Sequence, residues 1–218
     1  MKKILMLTTG GDIAGEHTDT GLVPVYTGEQ LVSMVPELRE YCELECKDIM
    51  QLDGTNVQPE DWVTIAEEVY DAQEAYDGVI ITHGTDTMAY SACAVSLMVQ
   101  NLQKPVIFTG AQIAMVDPDT DGKKNLLDAV HAAVSGIPGV YVVFGGRIIR
   151  GIRAQKMYTR ALDAFHSINA GDAGYVQDGE VFLNQSVPTP VGEPVLDTRL
   201  EPKVVQLKLL PGIEPKQL

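Results

Sequence analysis

Three short stretches hold most of the side chains able to do chemistry: "TTGGD" at 8–12, "DGTN" at 53–56 and "THGTDT" at 82–87. Each sets glycine beside a hydroxyl and a carboxylate. Thr85 next to Asp86 is a nucleophile with a partner, but an alcohol needs a base to lose its proton. His83 is one candidate base, although a histidine at a strand end is more often a packed, hydrogen-bonded residue. Lys156, in "GIRAQK", is another if burial favours its neutral form; otherwise it is a solvated surface lysine. Gly84 lets the backbone approach a ligand, and the helix expected after Asp86 offers free N–H groups to an anion. The competing reading is that Gly, Thr, Asp and Asn are ordinary turn residues and caps. Three such loops at one sheet edge favour a polar small-molecule pocket instead. Asp12, a carboxylate on the tip of a Gly-Gly turn, either is a ligand or catalyst or stands where a different residue would work. There is no phosphate-binding Walker loop, GxGxxG, zinc signature or serine elbow in the sequence.

The elements that must position these residues alternate. "KILMLTT" (3–9) reads as a buried strand, and Thr27 with Gln30 as a capping-box start to a short helix in "TGEQLVSMVPEL". "LECKDIMQL" is a second strand. "QPEDWVTIAEEVYDAQEAYDG" carries Pro59 in its first turn, an apolar face of Trp62, Ile65, Ala66, Val69 and Ala72, and Gly78 as its stop. "VIIT", "PVIFTG" and "GVYVVFGG" are apolar strands separated by helices over "MAYSACAVSLMVQNL" and "KKNLLDAVHAAVSG". The pattern predicts an α/β fold of three layers, a parallel sheet with helices on both faces. In such sheets ligands bind at the carboxyl ends of strands, where the three loops lie. Asp178-Gly179 predicts a hairpin. Residues 1–186 are expected as one domain, 187–203 as a Pro-rich linker, and 204–218 as the first strand of a second, truncated domain; a less favoured alternative adds that strand to the sheet edge.

Composition narrows the function classes. Hydrophobic residues make up 45% of the 218, enough for a sizeable core. A formal charge of −14 opposes binding to nucleic acid and to anionic membrane surfaces. Cys42, Cys46 and Cys93 are too few and too irregular for a zinc site and read as reduced thiols of a cytoplasmic protein. The apolar run near the N-terminus is shorter than the ~7–15 residues of a secretory signal core.

Together, "TTGGDIAG", "GLVPV", "LDGTNVQPEDW", "DGVIITHGTDTMAYSACAVS", "KPVIFTGAQI", "TDGKKNLLDA", "GVYVVFGGRIIRGIRAQK" and "DAFHSIN" resemble the bacterial L-asparaginase family, in its type I cytoplasmic branch. The resemblance covers roughly residues 3–213. It implies a flavodoxin-like N-terminal domain followed by a smaller α/β domain, and hydrolysis of asparagine to aspartate and ammonia. It implies no metal or cofactor, and a homodimer or homotetramer in which a neighbour's second domain completes each site. Two threonines would flank the scissile amide. The catalytic positions become Asp12, Thr85, Asp86 and Lys156. The substrate-binding positions become Asp53, Gly54, Thr55, Gly84 and Gln112.

The chain departs from the family pattern in telling places. Asp12 stands where the family has its loop threonine, and Gly54 where it has serine. Gly110-Ala111-Gln112 replaces Gly-Ser-Gln. A carboxylate at 12 would oppose both an anionic substrate and a developing oxyanion. The resemblance therefore carries three readings: an amidohydrolase that is impaired or inactive as this chain, a domain that binds aspartate-like ligands or serves assembly without turnover, and a glutaminase or tRNA-linked amidase subunit.

Overall fold

The computed structural model describes every residue except Thr20, Gln185, Pro188, Pro215, Gln217 and Leu218. In chain order the strands are β1 (Lys3–Gly10), β2 (Gly15–Thr18), β3 (Gly21–Pro24), β4 (Glu43–Leu52), β5 (Gly78–Thr82), β6 (Val99–Gln100) and β7 (Pro105–Thr109). They continue as β8 (Gly139–Phe144), β9 (Arg147–Arg150), β10 (Ala154–Lys156), β11 (Phe165–Ser167), β12 (Gly174–Gln177), β13 (Glu180–Leu183) and β14 (Val195–Leu196). The helices are α1 (Gly28–Met34), α2 (Leu38–Tyr41), α3 (Pro59–Ala75), α4 (Met88–Met98) and α5 (Gly122–Ser135).

One eight-stranded sheet, ordered β13-β12-β9-β8-β7-β5-β1-β4, forms the middle layer. Its β4, β1, β5, β7 and β8 run parallel, whereas β9, β12 and β13 extend it antiparallel. Side chains along each strand alternate between the two faces of the sheet. Ile4, Met6, Ile80 and Ile107 pack under α1, α2 and α5, with Leu31, Leu38 and Leu126. Leu5, Leu7, Val79, Ile81 and Phe108 pack under α3 and α4, with Ile65, Val69 and Val95. Apolar residues on both faces explain why these strands read as continuous hydrophobic runs.

Local chemistry sets the element ends. Thr27 and Gln30 form the expected capping box, but Pro36 divides the helix predicted there into α1 and α2. Pro59 opens α3, and Gln58 with Asp61 makes a second capping box. Gly78 does not stop α3. The helix ends at Ala75, and Gly78 instead opens β5, where a Cβ would sit 3.0 Å from Pro105. Asp178 and Gly179 take φ of 53° and 79°, the left-handed pair that a tight hairpin between β12 and β13 requires.

The end of the chain departs from expectation. Residues 204–212 form no strand, since no neighbour offers them a ladder, and Val204, Val205 and Leu209 are exposed. Pro215, Gln217 and Leu218 of that segment, and Pro188 of the expected linker, lie outside the described residues. The Pro-rich stretch is not a bare tether. Its β14 pairs antiparallel with β6, Gln103 Nε2 donates to Gly192 O at 2.9 Å, and Asp197 N donates to Met98 O at 2.8 Å. Among the described residues no helix is long and apolar enough to cross a membrane. The three cysteines are free thiols; burial pushes Cys42 up to about 11 and Cys46 up to about 12.

Candidate active site

The three glycine-bearing loops belong to β1, β4 and β5, which are neighbours in the sheet, so their carboxyl ends meet at one edge. They touch through backbone. A Cβ on Gly84 would fall 2.4 Å from Gly54 Cα, one on Gly54 would fall 2.8 Å from Gly84 Cα, and one on Gly11 would fall 2.4 Å from Gly84 N. Gly84 thus sits in close backbone contact with the other two loops. Gly11, at φ 76°, adopts a conformation that costs a side chain energy and then turns the chain into the short 3-10 helix Asp12–Ala14. Thr87 ties the seam by donating from Oγ1 to Gly54 O at 2.5 Å.

On this floor stands a relay. Lys156 Nζ lies 2.8 Å from Thr85 Oγ1 and 2.7 Å from Asp86 Oδ1. Thr85 is buried, the Lys156 side chain is 13% exposed, and that of Asp86 is 52% exposed. Seventy-one positions separate Thr85 from Lys156. The bridge between them is the β10–β11 pair, in which Lys156 faces Phe165. Phe165 is fully buried against Phe144, with ring centroids 5.0 Å apart. Met157 N to Ala164 O at 2.7 Å closes the same hairpin.

Gln112, expected among the substrate-binding positions, lies beside Thr85. Its Oε1 accepts the Thr85 hydroxyl at 3.0 Å, and its Nε2 donates to Thr159 O and Ala161 O, each at 3.1 Å. All the polar atoms of its side-chain amide are thus engaged by the protein, and it clamps Thr85 to the 159–161 segment. Asp121, which sequence reasoning missed, fixes this clamp. Its carboxylate accepts Gln112 N, Ile113 N and Asn125 Nδ2, the last two at 3.0 Å. An aspartate directly before a helix is the only available signal, and that reads equally well as a cap.

Asp53 and Thr55, also expected among the substrate-binding positions, bond to each other within their turn. Asp53 Oδ1 accepts Thr55 N at 2.8 Å and Thr55 Oγ1 at 2.7 Å. Thr8 and Thr9 also point away, to Asp48 Oδ1 at 2.5 Å and Thr82 O at 3.0 Å. His83 is a core residue. Its Nδ1 lies 2.8 Å from Gly84 O, which can only accept, so Nδ1 carries the proton and Nε2 accepts from Ser91 Oγ at 2.9 Å. Burial lowers its pKa to about 4, which leaves it neutral and out of the relay.

Asp12 is half-buried at the cleft. Burial first, then the charges of Asp53 and Asp86, push its carboxyl above the usual range, and Lys156 pulls it part of the way back. Lys156 thus pairs with Asp86 and bears on Asp12, on which Asp53 also acts. Such an arrangement can hold a lysine next to an alcohol for proton exchange, or bind an amine, and it repels an unpaired anion.

Residues 3–189 match the family model described as asparaginase, N-terminal. An L-asparaginase from Thermococcus kodakarensis is 41% identical over 99% of this chain and 66% of its own length. A glutamyl-tRNA(Gln) amidotransferase component from Archaeoglobus fulgidus is 36% identical over 96% of this chain and 53% of its own length. The chain thus spans about two thirds of the first relative and about half of the second. Among solved structures, the T. kodakarensis L-asparaginase superposes with a TM-score of 0.93 at 40% identity, covering 99% of this chain and 66% of that one. L-asparaginase I from Vibrio cholerae gives 0.87 at 31%, covering 99% and 67%. A probable cytoplasmic L-asparaginase from Campylobacter jejuni gives 0.77 at 31%, covering 89% and 60%. With residues 3–189 under one family model and a close superposition on a solved L-asparaginase, this chain belongs to the asparaginase family.

Proposed function

We propose that this chain carries the catalytic half of an amidohydrolase acting on L-asparagine, slowed by the carboxylate at position 12. The observation that carries the reading is Lys156 Nζ at 2.8 Å from a buried Thr85 hydroxyl and 2.7 Å from Asp86. Thr85 Oγ1 attacks the carbonyl carbon of the side-chain amide, with Lys156 as the base that takes up its proton. The C–N bond then breaks, the lysine returns the proton, and ammonia leaves. Water hydrolyses the resulting ester to aspartate and restores Thr85. Asp86 and the Gln112 clamp hold lysine and alcohol in line. Asp12 faces the developing oxyanion with like charge, where a hydroxyl would stabilise it.

A second reading rests on the three carboxylates around the cleft: a domain that holds the amine of an aspartate-like ligand without turnover. A third, a glutaminase or tRNA-linked amidase component, draws on the similarity to the A. fulgidus amidotransferase chain. We place the protein in the cytoplasm as a homodimer or homotetramer, on the strength of the family and of its neighbour described as cytoplasmic.

Coupled detection of ammonia separates these readings. With asparagine, the unaltered chain is expected to turn over slowly, Asp12→Thr to gain about 10²–10³-fold, and Thr85→Val to abolish both activities. Ordinary enzyme rates of roughly 1–10³ s⁻¹ with no gain in Asp12→Thr would overturn the role given to Asp12. Preference for glutamine would favour the third reading, and ligand binding with no turnover in either chain the second.

A further inference from the structure

At the opposite edge of the sheet a cavity of about 390 Å³ opens between the start of β8, the end of β9, the end of α4 and residues 189–191. That volume suits a small organic molecule. Its walls mix apolar residues, Leu102, Val140, Pro190 and Val191, with the neutral polar Ser96 and Thr189, and no acidic residue lines it, although the chain has 30. Into it reaches Arg150, whose Nε is buried and meets no acceptor among the described residues. Among the described residues its guanidinium makes one hydrogen bond, from Nη2 to Ser186 O, and it is long, at 3.4 Å. Arg150 makes no ion pair among the described residues, unlike Arg147 on the same strand, which is paired with Asp163 and Asp172.

A half-buried cation without a counter-ion is costly, and the deficit disappears when an anion occupies the space beside it. The planar fork of a guanidinium matches a carboxylate with two parallel hydrogen bonds. The roof is built to stay in place, since Gly192 O and Glu193 O accept from Gln103 and Asn101 just beyond the three cavity residues. We propose that this cavity is a binding site for a small organic carboxylate with an apolar body, held by Arg150 and separate from the Thr85–Lys156 cleft.

Calorimetric titration of the full chain with benzoate, and with neutral benzamide as the control, tests this. Benzoate is expected to bind one per chain, and benzamide at least about tenfold more weakly. Arg150→Gln should weaken benzoate about tenfold to a hundredfold. Val191→Trp should fill the cavity from an exposed position and also weaken it, which keeps the test valid should Arg150→Gln fail to fold. Thr85→Val should leave benzoate affinity unchanged. The proposal fails if benzoate does not bind, if neither cavity variant weakens it, if benzamide binds equally well, or if Thr85→Val abolishes binding. It also fails if sedimentation velocity shows Arg150→Gln to change the assembly state, because Arg150 would then serve a protein interface.

Discussion

Asp12, Gly54 and Gly84 illustrate how far one residue type constrains another. The resemblance places serine at position 54, and here a Cβ at that position would press on Gly84 at 2.8 Å to Cα and 3.0 Å to C. Both atoms are backbone, so they cannot swing aside. Gly54→Ser is therefore expected to destabilise the fold by about 1–3 kcal/mol, the usual cost of overpacking, measured as a lower urea midpoint with unchanged slope. A neutral or stabilising result would mean that the glycine seam gives way easily. Thr85 and Asp86 are legible from their own stretch, because a hydroxyl beside a carboxylate at a strand end is a short-range pattern. Lys156 is not legible from its surroundings. Nothing in "GIRAQK" announces a partner seventy-one positions back: residue type alone makes Lys156 a candidate base, and the resemblance assigns it to the relay.

At the scale of elements, the β10–β11 hairpin delivers the relay lysine, and Phe165 is its anchor. Phe165→Ala should cost about 3–5 kcal/mol through lost burial and a cavity beside Phe144. It should also reduce whatever asparagine turnover the chain has more than its folded fraction falls, because Lys156 is displaced. Thermal melts paired with ammonia release under conditions where the variant is folded would show this, and turnover that tracks the folded fraction alone would refute it. The same scale explains what is readable in the sequence. Strand β1 and helix α3 announce themselves through a continuous apolar run and a 3.6-residue stripe. The short hairpin β2–β3 spans polar residues such as "GEHT" and carries no apolar alternation, so the pattern does not reveal it. Strand β9, "RIIR", lies hidden behind Gly145-Gly146 and turns the sheet antiparallel. Residues 204–212 show the reverse error, since an apolar run states only that a segment wants covering, whereas a strand also needs a neighbour.

For the whole molecule, the titrations of His83 and Asp12 act in opposite directions. His83 has a folded pKa near 4 against an ordinary 6.5, so the unfolded chain binds more protons between those values. Its contribution is complete above about pH 6.5 and is lost as pH falls toward 4, a change on the order of 3 kcal/mol. Asp12 has a raised carboxyl pKa, so its ionisation burdens the fold at neutral pH and acid relieves it. The histidine is the more deeply buried and should dominate. Stability from urea unfolding is expected to fall between pH 7 and 4.5, and less so in His83→Gln, which cannot titrate. Equal pH dependence in the two proteins would show that His83 does not set the acid response.

The last long-range backbone hydrogen bond seen near the end of the chain joins Asp197 N to Met98 O. A protease should encounter that boundary before any other. Arg199 and Lys203 are exposed just past it, while Arg150 and Lys156 are partly buried in sheet pairs. Brief trypsin digestion followed by intact mass measurement should yield a lasting fragment ending at residue 199 or 203. Early scission at 150 or 156 instead would mean that the Pro-rich stretch carrying β14 and the β10–β11 hairpin open together.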